Sequence, residues 1–349
     1  MSKGRVENIS KGDDMRTEVD RSKKAGMNGE PHRIDVHHHI FPPEYMKAVG
    51  ELGIADGGGV AIPSWSVEAD LAVMDRHGIA TAMTSIATPG IYFGDRAAAK
   101  VLARICNEYS ARLVSDHPSR FGAFAVLPLP DVDAALEELD YALDTLRLDG
   151  VTLLTSIEDQ YLGDPAFDAL FDELNRRKAV LFIHPSVPVS SRALKLAMPG
   201  ALIEFVFDTT RAVANLIYSG TLERCPEISI ILPHAGGTVP YLAGRLALGA
   251  MVPELNQKAP RGALAYLKRL YYETALSTAP TSLSSLRELV DPSHILFGSD
   301  YPYAPEPLVR AEVQGLGNYA GFDEKTRLDI EHDNTLALFP RLRSEGGRS

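Results

Sequence analysis

The sequence predicts an α/β fold, a (β/α)8 TIM barrel, on three observations. Eight short apolar runs of strand length recur along the chain, helix-period amphipathic stretches separate them, and no glycine-rich GxGxxG turn follows an early run. The last point ranks a doubly wound open sheet well below the barrel. The runs fall, in order, at 33–39 (RIDVHHH), 81–87 (TAMTSIA), 121–127 (FGAFAVL), 150–155 (GVTLLT), 179–184 (AVLFIH), 228–234 (ISIILPH), 270–275 (LYYETA) and 294–299 (HILFGS). Between the first and second lies the periodic stretch 67–77 (VEADLAVMDRH), then 96–115, then 132–146 (VDAALEELDYALDTL) and 165–176. The stretch FDTTRAVANLIYSG follows the fifth run, and 282–290 separates the last two. In such a barrel the C-terminal ends of the strands converge on one face, where chemistry is built.

At 349 residues and 45% hydrophobic, the chain is long enough for one large barrel domain with a sizeable core. Residues 31–342 are read as that domain. Residues 1–30 are polar and lack the apolar stretch of a signal peptide, so a disordered leader is expected there, with Met15 or Met27 as candidate true starts. Residues 343–349 are read as a flexible tail. A net charge of −11 argues against nucleic acid or an anionic membrane as partner, and no run of about 18 apolar residues offers a membrane span. Two cysteines, Cys106 and Cys225, are too few for a disulfide framework. A cytoplasmic enzyme acting on small molecules fits these bounds.

The triple histidine at 37–39 sets the chemical question. Side chains alternate faces along a strand, so His37 and His39 point one way and His38 the other. At most two of the three share a centre. His37 and His39 end the first strand, His184 the fifth and His234 the sixth, and Asp300 follows the eighth in ILFGSD. All five are placed at C-terminal strand ends. Imidazoles with a carboxylate are the ligand set of a divalent zinc, iron or manganese ion, and three or four such ligands with an open position mark a catalytic centre.

These residues resemble a known family. DxHxH on the first strand, a histidine in HP on the fifth, HxGG on the sixth and GSDYP after the eighth are similar to the amidohydrolase superfamily. More narrowly, they resemble its metal-dependent decarboxylase branch, which includes aminocarboxymuconate semialdehyde, γ-resorcylate and 6-methylsalicylate decarboxylases. The resemblance runs from about residue 33 to 340 and takes in SIATPGIYFGD and FAVLPLPDVDAALEEL. It implies an amidohydrolase-type barrel and carries His37, His39, His184 and Asp300 over as metal ligands. His234 matches the histidine that acts as acid and base. Arg245, eleven residues after His234, matches an arginine that reaches across a dimer to the substrate carboxylate in the semialdehyde enzyme. A homodimer or higher assembly follows from that match.

The departures from the family are informative. The residues ahead of Trp65, IADGGGVAIPS, lack the second carboxylate-binding arginine of the semialdehyde enzyme. The expected substrate is therefore an aromatic or unsaturated acid of the hydroxybenzoate or methylsalicylate kind, with Phe41, Trp65, Tyr92 and Phe93 lining a pocket for its ring. GVTLLTS supplies no lysine or glutamate to bridge two metals. One divalent ion is expected, zinc first and manganese as the alternative. Either His234 or Asp300 serves as the proton donor.

Plainer roles are expected elsewhere. His38 packs outward against a helix, and His32, His77, His117 and His332 are solvated. His294 begins the eighth strand on the structural face. Asp35 shares the inward parity of His37 and hydrogen-bonds beneath it. Arg245 has a surface ion pair as its bland alternative, and Cys106 is core. The same barrel and ligands also support hydrolysis of a lactone or cyclic amide, and a non-catalytic metal-binding barrel is a third reading.

Overall fold

The structure, a computed structural model, describes residues 31–345; the leader expected at 1–30 and residues 346–349 of the expected tail lie outside them. The last described helix is Leu342–Glu345. Eight parallel strands run in sequence order around one sheet: β1 Arg33–His39, β2 Ile79–Ser85, β3 Phe121–Val126, β4 Gly150–Leu154, β5 Val180–His184, β6 Ser229–Leu232, β7 Tyr271–Glu273 and β8 Ile295–Leu296. The sheet returns to its start. Val36 N–H donates to Phe297 O at 3.0 Å, Asp300 N–H to His37 O at 2.8 Å and His39 N–H to Tyr301 O at 2.8 Å. The longer helices are α1 Pro43–Glu51, α2 Val67–His77, α3 Arg96–Asp116, α4 Val132–Asp140, α5 Asp168–Arg176, α6 Glu204–Tyr218, α7 Val239–Ala247, α8 Pro280–Leu289 and α9 Glu306–Asn318. Among the described residues no helix is long and apolar enough to cross a membrane.

Each of the eight predicted runs contains a strand, and the differences have local causes. β2 begins two residues before the predicted 81, because Gly78 ends α2 in the left-handed region (φ 64°) and the chain enters the sheet at once. β6 stops at Leu232 because Pro233, with no N–H, cannot extend the ladder. The stretch predicted as one helix over 132–146 is α4 followed by a wider π turn, Tyr141–Thr145. Helix starts follow side-chain caps: Ser66 accepts from Ala69 N–H, Asp95 from Ala97 and Ala98 N–H, and Asp131 from Ala134 N–H.

The barrel interior below the site is apolar. Ile34 and Val36 pack with Phe124, Phe182, Ile231 and Leu296, and Phe339 joins them from the C-terminal segment. The register of β1 against β2 shifts between Asp35 and His38. Ile34 and Val36 join this interior cluster, and so do His37 and His39 farther along, so the inward face changes parity between 36 and 37. This corrects the parity expected for Asp35. It faces outward with His38, which lies 2.9 Å from Asp35 Oδ2 and 2.7 Å from Asp70 Oδ1 on α2. His38 thus packs against a helix as expected, although fully buried between two carboxylates. Burial works against its charge, but Asp70 and Asp35 hold it up at about 10. His77, expected in solvent, is only 8% exposed because Glu306 of α9 folds over it at 3.2 Å.

Glu312 of α9 is buried behind the loop after β7, where Oε1 accepts from Leu276 N–H at 2.6 Å. Burial, the largest cause, pushes its carboxyl up to about 10. Between the ordinary carboxyl range and pH 10 the unfolded chain therefore binds fewer protons here than the folded one, and this group makes stability fall as pH rises. Glu312→Gln should flatten that fall. Melting temperatures compared at pH 5 and pH 9 check it: an equal drop in variant and wild type rules out the buried neutral acid.

Candidate active site

The four residues matched to metal ligands meet. One ligand atom from each of His37, His39, His184 and Asp300 lies within 4.8 Å of the others, and all four residues are buried. His37 Nε2 and His39 Nε2 are 2.9 Å apart, and Asp300 Oδ1 lies 3.3 Å from the first and 3.1 Å from the second. Each ring has its other nitrogen engaged. His37 Nδ1 faces Glu273 Oε1 at 2.9 Å, His39 Nδ1 faces Ser85 Oγ at 3.0 Å, and His184 Nδ1 donates to Pro185 O at 2.8 Å. Donation through Nδ1 leaves the Nε2 lone pairs aimed at one another and at a carboxylate, which is the arrangement a cation satisfies.

The electrostatics agree with that reading. Burial drives His184 well below its ordinary value, helped by His39 and His37, and burial also lowers His39. These two rings are neutral imidazoles, the form that ligates. Burial opposes charge on His37 as well, but Asp300 and Glu273 outweigh it and raise His37 to about 10. Asp300 is buried too, yet His37 and hydrogen bonds from His234 and His39 keep its carboxyl well below the usual range. Three imidazoles and one carboxylate fit a single divalent transition ion better than a hard cation, which takes oxygen donors.

His234 lies beside this cluster, not in it: its Nε2 is 3.4 Å from Asp300 Oδ2, and its Nδ1 has no partner among the described residues. Pro233 ends β6 and the chain turns sharply, with His234 and Ala235 both in the left-handed region (φ 52° and 54°). That conformation costs an ordinary residue of order 1–3 kcal/mol, and surrounding contacts must maintain it. The contact here is Glu273, whose Oε1 accepts from His234 N–H at 2.5 Å. Sequence reading missed Glu273. The available signal was a carboxylate inside the apolar run LYYETA, at the C-terminal end of a barrel strand.

A cavity of about 820 Å³ opens beside the cluster, lined by Asp56, Thr88, Tyr92, Phe93, Leu154, Ile157, Ser186 and other residues of the loops after β1, β2, β4 and β5, with Glu204 at the start of α6. It connects to the ligands through shared bonds. Thr88 Oγ1 donates at 3.2 Å to the same Pro185 carbonyl that holds His184. Of the four aromatics expected at the ring pocket, Tyr92 and Phe93 line this cavity. Phe41 and Trp65 are not brought to it. Phe41 is buried against Tyr303 and Tyr45, and the Trp65 indole N–H donates to Asp70 Oδ2 at 2.8 Å, bracing the carboxylate that holds His38. Arg245 is exposed on α7, where it lines a separate surface groove with Arg211 and Tyr218. Cys106 is core, and burial pushes its thiol up, away from the thiolate that a nucleophile needs.

Known proteins resemble the chain along most of its length. It is 39% identical over 324 residues to the decarboxylase yanB of Aspergillus niger, covering 89% of this chain and 88% of that one. It is 38% identical over 324 residues to the 6-methylsalicylic acid decarboxylase of Penicillium expansum, covering 89% of this chain and 97% of that one. The crystal structure of 5-carboxyvanillate decarboxylase from Novosphingobium aromaticivorans, complexed with manganese, superposes with a TM-score of 0.78 over 90% of this chain and 97% of that one, at 22% identity. That last likeness concerns the fold. Residues 34–341 match the amidohydrolase family, a span holding every residue of the cluster, and the chain belongs to that family.

Proposed function

We propose that this chain is a metal-dependent, non-oxidative decarboxylase of an aromatic or unsaturated carboxylic acid, a hydroxybenzoate or methylsalicylate-like compound, carried by a single (β/α)8 barrel domain over residues 31–342. The observation that carries the reading is the buried three-histidine, one-aspartate cluster with His234 at its edge and a largely apolar cavity beside it. Relatives at 38–39% identity named as decarboxylases, two of them for 6-methylsalicylic acid, support it.

Loss of CO₂ leaves an electron pair on carbon, so the site must hold the carboxylate in place and deliver a proton to that carbon. His37, His39, His184 and Asp300 would hold the divalent ion, zinc by donor type with manganese as the alternative, and when bound it fixes and polarises the carboxylate and an ortho hydroxyl. His234 Nε2 delivers the proton to the ring carbon, and the Asp300 carboxylate, with Oδ2 3.4 Å away, orients the imidazole. Tyr92, Phe93, Leu154 and Ile157 offer an aromatic ring apolar surface and displace water from it. Two buried free cysteines suit a reducing compartment, and we assign the enzyme to the cytoplasm. The test is a panel of hydroxybenzoates followed for CO₂ and phenol release. Release of both is expected; ring opening of lactones or cyclic amides without CO₂ overturns the reading in favour of a hydrolase.

The substrate carboxylate also calls for a cation. Among the described residues lining the cavity there is no lysine or arginine. Arg245, exposed on α7, fills that role in a homodimer by completing the neighbouring subunit's site, since a planar guanidinium binds a carboxylate through two parallel hydrogen bonds. Mixing an Arg245→Ala chain with a His184→Ala chain should restore activity, because one of the two sites in the mixed dimer then has both parts. A mixture as inactive as its parents, with subunit exchange demonstrated, removes the shared site.

A further inference from the structure

We infer that Glu273 is a positioning residue that couples the two halves of the site, setting the metal-facing nitrogen of His37 and the location of His234 through one carboxylate oxygen. This rests on the metal-site reading above. Glu273 closes β7 at the centre of the barrel and is fully buried, and its carboxylate makes three hydrogen bonds. Oε1 accepts from His37 Nδ1 at 2.9 Å and from His234 N–H at 2.5 Å, while Oε2 accepts from Ala275 N–H at 2.5 Å. The first bond fixes the His37 proton on Nδ1 and so presents the Nε2 lone pair to His39 and Asp300. The second holds the left-handed turn that carries the His234 ring to Asp300. Because the same oxygen makes both, neither ring can be displaced without disturbing the acceptor of the other.

The surroundings leave the carboxylate no other place. A Cβ at Gly298, in the GSD segment after β8, would stand 2.0 Å from Glu273 Oε2 and 3.0 Å from His37 Cβ. The glycine is thus required by the packing of Glu273 against β1. Glutamine keeps the shape of Glu273 but not its bonding. Its amide nitrogen must face either the Ala275 N–H or the two donors at Oε1, so a donor meets a donor in the buried site.

Two folded variants test the inference, Glu273→Gln, which changes the acceptor, and Gly298→Ala, which crowds it without removing any polar group. The readouts are zinc affinity by competition with a chromogenic chelator, then kcat and KM at saturating zinc. Both variants should bind zinc about 10–100-fold more weakly, the scale for losing the partner of a ligating histidine. At saturating zinc kcat should fall with KM little changed, and the kcat loss of Glu273→Gln should not multiply with that of His234→Ala, because it acts through the same ring. If Glu273→Gln fails to fold, Glu273→Asp, whose carboxylate is one methylene short of both donors, takes its place. Wild-type zinc affinity in either folded variant, or kcat losses that multiply with His234→Ala, overturns the inference. A wild-type chain that binds no zinc or manganese overturns instead the metal-site reading beneath it.

Discussion

His184→Ala should fold, retain no divalent metal and have no measurable turnover. The expectation follows from how this ring is held. It is buried, burial pushes it to the neutral form, and Pro185 O ties its Nδ1, leaving Nε2 for the cluster. The remaining two imidazoles and one carboxylate lose a donor that no water can match in position, so the loss exceeds the roughly 10–100-fold cost of removing a ligand's outer partner. Metal analysis of purified protein checks it: about one ion per wild-type chain and none in the variant. With zinc bound, nitrogen and oxygen ligands should lie near about 2.0–2.2 Å from the ion. A variant that keeps a full equivalent, or a wild type that carries two, contradicts a mononuclear site built from these four residues.

His234→Ala separates chemistry from metal binding. Turnover should fall by about 10²–10⁴-fold, the usual contribution of a positioned acid or base, while metal content stays that of the wild type. The asymmetry comes from geometry. Among the described residues, the ring nitrogens of His234 meet the cluster through Asp300 Oδ2 at 3.4 Å, and its Nδ1 has no protein partner. Full activity in this variant would falsify the acid–base assignment, and loss of metal would make His234 a ligand. Asp300→Asn cannot serve the same purpose, because Asp300 touches both His37 and His39 as well as His234.

Residues whose roles follow from strand ends were legible in the sequence. His37, His39, His184 and Asp300 converge because a closed parallel sheet brings the C-terminal ends of its strands together, whatever the details of the loops. What escaped reading depends on contacts between distant segments. Glu273 meets His37 across 236 positions of sequence and looks, within LYYETA, like one polar residue in an apolar strand. Trp65 was assigned to a ring pocket because it is a large aromatic near the first strand, yet its N–H had a buried acceptor to satisfy in Asp70. His77 looked solvated at a helix end until α9 placed Glu306 over it. Asp35 was misplaced for a more local reason: simple alternation carries no information about where a strand skips a beat.

That skip governs height as well as direction. β1 consists of two half-strands out of phase, the first serving the apolar floor and the second the ligand cluster, with the seam at residues 36–37. A chain one residue shorter at the seam regains plain alternation with His38 still opposite Thr84, and turns His37 and His39 inward at their present height. A chain one residue longer that regains plain alternation instead carries them about two strand rises, roughly 6.6 Å, along the barrel axis. His184, anchored on β5, stays where it is. A metal–ligand bond tolerates about 0.2 Å, so a one-codon insertion there would disassemble the centre while keeping every one of its residues.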